Sequence, residues 1–274
     1  MALDLPTFYK RTGSAIVFAI VMLTGLLWNE WSFLALACLI DFLALREFFQ
    51  IMQRIDKTPV WPVWLPWVAQ LMGVAVILVF FQPVQAGNMA PGILAMLAVA
   101  PALLLLFGVP SKNNSIGAVA ESIGGLLYIS LPMAMLVTLH QRDMILPLGL
   151  ILMIWSNDTL AYLVGSFIGK HPFSPISPKK TWEGTIGGAL LTLVAAGTYG
   201  YFSHKFRLID WLAIALCATV AGTFGDLLES KLKRLADVKD SGSFMPGHGG
   251  ALDRFDSLLI ATPFAFIYAT FFMQ

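Results

Sequence analysis

Apolar runs of near-bilayer length recur along the chain at 13–28, 31–50, 61–82, 91–108, 115–139, 146–168, 184–203, 208–228 and 252–272. A helix of about 20 apolar residues crosses a hydrocarbon core and satisfies its own backbone hydrogen bonds, for which lipid offers no partner. The pattern therefore predicts an all-α polytopic membrane protein with about nine transmembrane helices. Only Trp28-Asn29-Glu30-Trp31 divides the first two runs, so one broken hairpin dipping into the membrane is their alternative. Met1 to Arg11 reads as no cleavable signal, because the apolar run behind Lys10 and Arg11 lacks a small-residue cleavage site followed by a soluble domain.

Polar residues between the runs set an orientation. With the N-terminus inside, fourteen of the seventeen Lys and Arg residues fall on the inner side, and only Arg142, Lys205 and Arg207 fall outside. Basic residues are retained on the cytoplasmic side, so the expectation is N-terminus in and C-terminus out. The two longest inner connections, 169–183 and 229–251, carry most of the polar chemistry. We divide the chain into N-terminal membrane helices over 1–110 and a C-terminal membrane catalytic region over 111–274.

Composition excludes other classes. The 274 residues are 58% hydrophobic and 12% charged, against roughly 25% charged in a soluble domain. The net charge of +1 gives no reason to expect nucleic acid as a partner. Cys38 and Cys217 lie in apolar runs without metal or disulfide spacing and read as small hydrophobes. Glycines within the runs, including Gly124, Gly125, Gly165, Gly169, Gly184, Gly187, Gly188, Gly197 and Gly200, read as close-packing positions. Gly165 to His171 falls one residue short of a Walker A loop and lacks its Ser/Thr, so it is no P-loop.

Ionisable groups in or beside spans are costly and mark candidate function. They are Asp41, Glu121, Asp158, Asp226, Glu229, Asp253 and Asp256. Asp41 and Glu121 stand alone, open to a structural or a supporting role. Asp158, beside Asn157, shares a helical face with Tyr162, Gly165 and Gly169. Asp226, Ser230, Lys233, Arg234 and Asp237 align along one helix leaving the membrane. After Lys239 and Asp240 comes a Gly-rich loop to Gly250, whose exposed N–H groups suit phosphate oxygens. Asp253 and Asp256 lie one turn apart around Arg254. Two such carboxylates near lipid repel, and a hard divalent ion such as Mg²⁺, shared with substrate phosphates, relieves that repulsion. An ion-pair network with Arg254 at a helix N-terminus is the plainer alternative. In the proline-rich stretch 170–183, Lys179 and Lys180 are open to two readings, anionic lipid headgroups or substrate phosphates.

The stretch Ser230-Lys231-Leu232-Lys233-Arg234, Lys239-Asp240 and Pro246-Gly247-His248-Gly249-Gly250-Ala251-Leu252-Asp253-Arg254-Phe255-Asp256 resembles the signature of the phosphatidate cytidylyltransferases, or CDP-diacylglycerol synthases. Asn157 to Tyr162 and Ser177 to Gly184 are also similar to that family, so the resemblance extends over roughly 150–260; the first 110 residues share only their hydrophobicity. It implies the reaction of CTP with phosphatidic acid to give CDP-diacylglycerol and pyrophosphate for phospholipid synthesis. It also implies Mg²⁺ dependence, with a second cation left open, a homodimer, and an active site on the cytoplasmic face of the bacterial inner membrane.

The resemblance assigns metal to Asp226, Asp253 and Asp256. Lys233, Arg234, Lys239 and the Gly247, Gly249 and Gly250 backbone would neutralise the triphosphate, with Ser230, Asp240 and His248 in the catalytic set. Asn157, Asp158, Lys179, Lys180 and Arg254 are expected to bind substrate, the lysines at the phosphatidate headgroup and its acyl chains in membrane lipid. A phosphate monoester with a second pKa of ~6 is already a nucleophile near neutrality, so the task is to suppress repulsion between polyanions. The rival classes are another metal-dependent lipid phosphotransferase and an ion-coupled transporter; for the transporter, residues 1–110 hold no repeat of 150–260.

Overall fold

The computed structural model describes residues 5–81, 116–244 and 249–273. The predicted run 91–108, together with Lys112, Gly247, His248 and Gln274, lies outside them. The other eight predicted runs each fall on a helix: α1 (Leu5–Leu27), α2 (Glu30–Ile55), α3 (Leu65–Phe80), α4 (Ile116–Arg142), α5 (Ile145–Ile168), α6 (Trp182–Ser203), α7 (Leu208–Leu235) and α8 (Leu252–Phe271). Of these, α4, α5, α6 and α7 are long and apolar enough to cross a membrane.

Local chemistry sets the helix ends. Asn29 separates α1 from α2 through a reciprocal cap, accepting from Ser32 N at 2.8 Å while its own N–H donates to Ser32 Oγ at 3.0 Å. Thr181 caps α6, accepting from Gly184 N at 3.2 Å, and His204 ends that helix in the left-handed region. Single π-turns interrupt α4 at Leu126–Ser130 and α7 at Cys217–Ala221; apolar periodicity gives no sign of them.

The stretch 170–183 departs from the all-helical expectation. It forms a two-stranded antiparallel hairpin, β1 (Pro172–Ser174) and β2 (Ser177–Thr181). Both strands are edges, where proline costs no ladder bond. Glu183 ties the hairpin to the end of α5, accepting from Lys170 N at 3.1 Å and His171 N at 3.2 Å, and Phe173 meets Trp182 edge-on at 4.6 Å.

The described residues group into two units, one from Met1–Arg142 with Leu235–Arg254, the other from Asp143–Arg234 with Phe255–Gln274. The core of the first is built on α2, α3 and α4, with Phe33, Leu45, Ile77, Ile129 and Met133 buried. Asp41 is buried there, and a Cβ at Gly73 would stand 2.6 Å from both its Oδ2 and Ser130 Oγ. In the second unit α5 packs on α6 through small residues: a Cβ at Gly184 would lie 2.7 Å from Ala161 O, and one at Gly188 2.7 Å from Ala161 N. Gly165 and Gly184 thus serve close packing, as the small-residue pattern implies.

Candidate active site

In the second unit a cavity of about 420 Å³ is lined by Asn157, Asp158, Lys179, Lys180, Thr223 and Asp226, among others. Five of these are positions that the sequence marks for substrate or metal. Asn157 and Asp158 come from α5, the lysines from β2, and Asp226 from α7, so the hairpin delivers both lysines to carboxylates distant in sequence. Asn157 is buried, and its Oδ1 has no hydrogen-bond partner among the described residues. Such an acceptor facing a cavity suits a ligand donor.

Gly225 sets the approach of α7 to α8. A Cβ there would lie 2.4 Å from Asp256 O and 3.0 Å from Ser257 Cα. Only a residue without a side chain allows this contact, and it places Asp226 and Asp256 on adjoining helices. Lys180 Nζ forms an ion pair with Asp226 Oδ2, and Ser230 Oγ donates to Asp226 Oδ1 at 3.3 Å. Burial lowers the Lys180 ammonium below the usual lysine range, while the Asp158 and Asp256 carboxylates act in the opposite direction. Lys233 pairs at 2.5 Å with Glu229, which is fully buried. Arg234 is exposed near the end of α7.

The first unit holds the described part of the Gly-rich loop. Glu47 on α2, a carboxylate inside an apolar run that the sequence reading passes over, organises it. Ser241 Oγ donates to Glu47 Oε2 at 2.7 Å, and the Ala251 and Leu252 amides donate to Oε1 and Oε2, each at 2.9 Å. A Cβ at Gly242 would fall 2.3 Å from Oε1 and one at Gly250 2.2 Å from Oε2, so both glycines are needed for the loop to wrap this carboxylate. Asp253 Oδ2 accepts from Ser241 N at 2.8 Å and Gly250 N at 2.7 Å. Gly249 has φ 85°, a conformation that favours glycine, and its Cβ position is 2.4 Å from Asp253 Oδ2. Lys239, Asp240 and Arg254 are exposed. Asp253 therefore shapes the loop, whatever else it binds.

Among the described residues no group of three or more His, Cys, Asp or Glu side chains is arranged to hold a metal by itself. Mg²⁺ is commonly held by one or two carboxylates, the rest of its shell being phosphate and water. Asp226 and Asp256, on adjoining helices, supply that number, and Asp226 already pairs with the Lys180 ammonium. The donor chemistry of these two carboxylates is of the kind that Mg²⁺ takes.

An integral membrane chain with carboxylates and lysines around a cavity in one unit and a glycine-rich loop in the other carries groups suited to phosphate beside lipid. The chain belongs to the cytidylyltransferase family, whose model matches residues 9–272. It is 33% identical over 258 residues to the phosphatidate cytidylyltransferase of Staphylococcus saprophyticus, covering 92% of this chain and 95% of that one. The enzyme of that name from Staphylococcus aureus is 34% identical over the same shares. The one from Bacillus subtilis is 48% identical over 121 residues, 43% of this chain and 45% of the relative.

Proposed function

We propose that the protein transfers the cytidylyl group of CTP to phosphatidic acid, forming CDP-diacylglycerol and pyrophosphate. The observation that carries this reading is the cavity in which Asn157, Asp158, Lys179, Lys180 and Asp226 meet, in a chain whose relatives are named phosphatidate cytidylyltransferases. An oxygen of the phosphatidate phosphate forms a bond to the α-phosphorus of CTP. The bond from that phosphorus to the α,β-bridging oxygen breaks, and its electron pair leaves with pyrophosphate.

Lys179 and Lys180 orient the lipid phosphate, and Asn157 and Asp158 complete that wall. Lys233, pinned by Glu229, works with Arg234, Lys239 and the Gly247, Gly249 and Gly250 backbone to offset the triphosphate charge. Ser230, Asp240 and His248 provide hydrogen bonds, and Arg254 binds phosphate. Asp226, Asp253 and Asp256 are the proposed Mg²⁺ ligands; when bound, the ion supplies charge neutralisation at the attacking and leaving oxygens. We place the enzyme as a homodimer in the bacterial inner membrane, with nine spans and its site on the cytoplasmic face, on the strength of the basic-residue asymmetry and the family resemblance.

The test is chemical. Detergent micelles containing phosphatidic acid, Mg²⁺ and labelled CTP should yield cytidine-bearing lipid and pyrophosphate in equal amounts, and EDTA should abolish both. Pyrophosphate without nucleotidyl lipid would remove phosphatidate as the nucleophile. Neither product in micelles, with ion-coupled uptake in vesicles, would make the protein a transporter.

A further inference from the structure

The first unit holds a second cavity, of about 480 Å³, of whose lining residues the assignments above use only Asp240. Its walls include Arg46, Gln50 and Arg54 from α2 and Asp240, Ser243 and Phe244 from the loop after α7. Arg46, Gln50 and Arg54 succeed one another at i, i+4 and i+8, forming one exposed stripe. Neither guanidinium forms an ion pair with a described residue. Glu47, also at this wall, is committed to Ser241, Ala251 and Leu252. Phe244 keeps 52% of its surface exposed beside the cavity.

We propose that this cavity seats the nucleotide substrate. The inference rests on the cytidylyl-transfer reading and deepens it, because it brings α2 into substrate binding. Arginine forks match phosphate oxygens in a way that a snorkelling lysine does not. Phe244 offers a ring face for a base, and Asp240 offers an acceptor of the kind that pairs with the exocyclic amine of cytosine. A lipid headgroup phosphate would use the cations but neither the aromatic face nor the carboxylate. The wall is also tied to the proposed chemistry, since Ser241, itself a lining residue, donates its amide to Asp253 Oδ2. A nucleotide held here lies one hydrogen bond away from a proposed metal ligand.

The experiment uses full-length protein with Cys38 and Cys217 replaced and a single probe, Gln50→Cys, assayed first for CDP-diacylglycerol formation. CTP at saturation should slow thiol labelling of the probe at least fivefold, whereas phosphatidate alone should change it less than twofold. In the parent, Phe244→Leu should raise the KM for CTP about tenfold through lost stacking, and Arg46→Gln with Arg54→Gln should do at least as much, with the KM for phosphatidate unchanged. Protein that makes CDP-diacylglycerol yet shows no CTP protection, or is protected by phosphatidate alone, overturns the site while leaving the cytidylyl-transfer reading intact. Protection of the probe by CTP, with no cytidine lipid formed by the parent protein, keeps the site and sinks that reading instead.

Discussion

Single carboxylates in this chain do two different kinds of work. Asp226 and Asp256 sit on adjoining helices with a lysine drawn toward them, so replacing either with Asn should cost catalysis and spare folding. We expect turnover to fall at least about 100-fold, or ~2.7 kcal/mol of barrier, with expression and detergent-extracted size unchanged. Activity within a few-fold of the parent at saturating Mg²⁺ would withdraw the ligand assignment. Glu47 works structurally. Glu47→Ala strands the Ala251 and Leu252 amides, each at a cost of about 1–3 kcal/mol. Thermal unfolding in detergent should show that loss, and Glu47→Gln, which keeps one acceptor, should show less of it. The proposed metal carboxylates stand out in the sequence because they lie in a dense polar motif. Glu47 was not, since its partners are 194 to 205 residues away and no local pattern records them.

At the scale of elements, apolar run length placed the eight described helices, four of them long and apolar enough to cross a membrane. It gave no access to the π-turns, which are single-residue adjustments to packing, or to the hairpin, whose strands are too short and too proline-rich to alternate. The hairpin matters to the proposed site, since β2 carries Lys180 to Asp226 on α7. Gly225 does the same for α7 and α8, and the sequence gives no reason to separate it from the other glycines. Gly225→Val should force the helices apart, because its Cβ would meet Asp256 O at 2.4 Å. We expect a stability loss of about 1–3 kcal/mol and a turnover loss of at least about tenfold. Gly124→Ala is the control: a Cβ there meets nothing within 4 Å, so its stability should stay within about 1 kcal/mol of the parent. Equal effects of the two substitutions would show that the α7–α8 approach does not position the site.

At the scale of the whole molecule, the remaining question is which side of the membrane the chemistry faces. Leu163, Phe167, Leu190 and Val194 leave α5 and α6 with exposed apolar surface, as lipid-facing helices require. The C-terminal half carries its own orienting charge, with Lys170, Lys179, Lys180, Lys231, Lys233, Arg234, Lys239 and Arg254 on one side in the nine-span arrangement. By that bias both polar stretches are expected on the cytoplasmic side regardless of the first helices. The run 91–108 decides only whether the N-terminus shares that side. Single cysteines at Thr7, Ser174, Ser243 and Gln274 in a Cys-free background separate the cases, using a thiol reagent that does not cross the membrane. Nine spans predict labelling from outside at Gln274 alone. If 91–108 does not cross, Thr7 should label with it while Ser174 and Ser243 stay protected. Labelling of Ser243→Cys in intact cells would contradict both arrangements, because it would put the glycine-rich loop, and with it Asp253, on the side where CTP is absent.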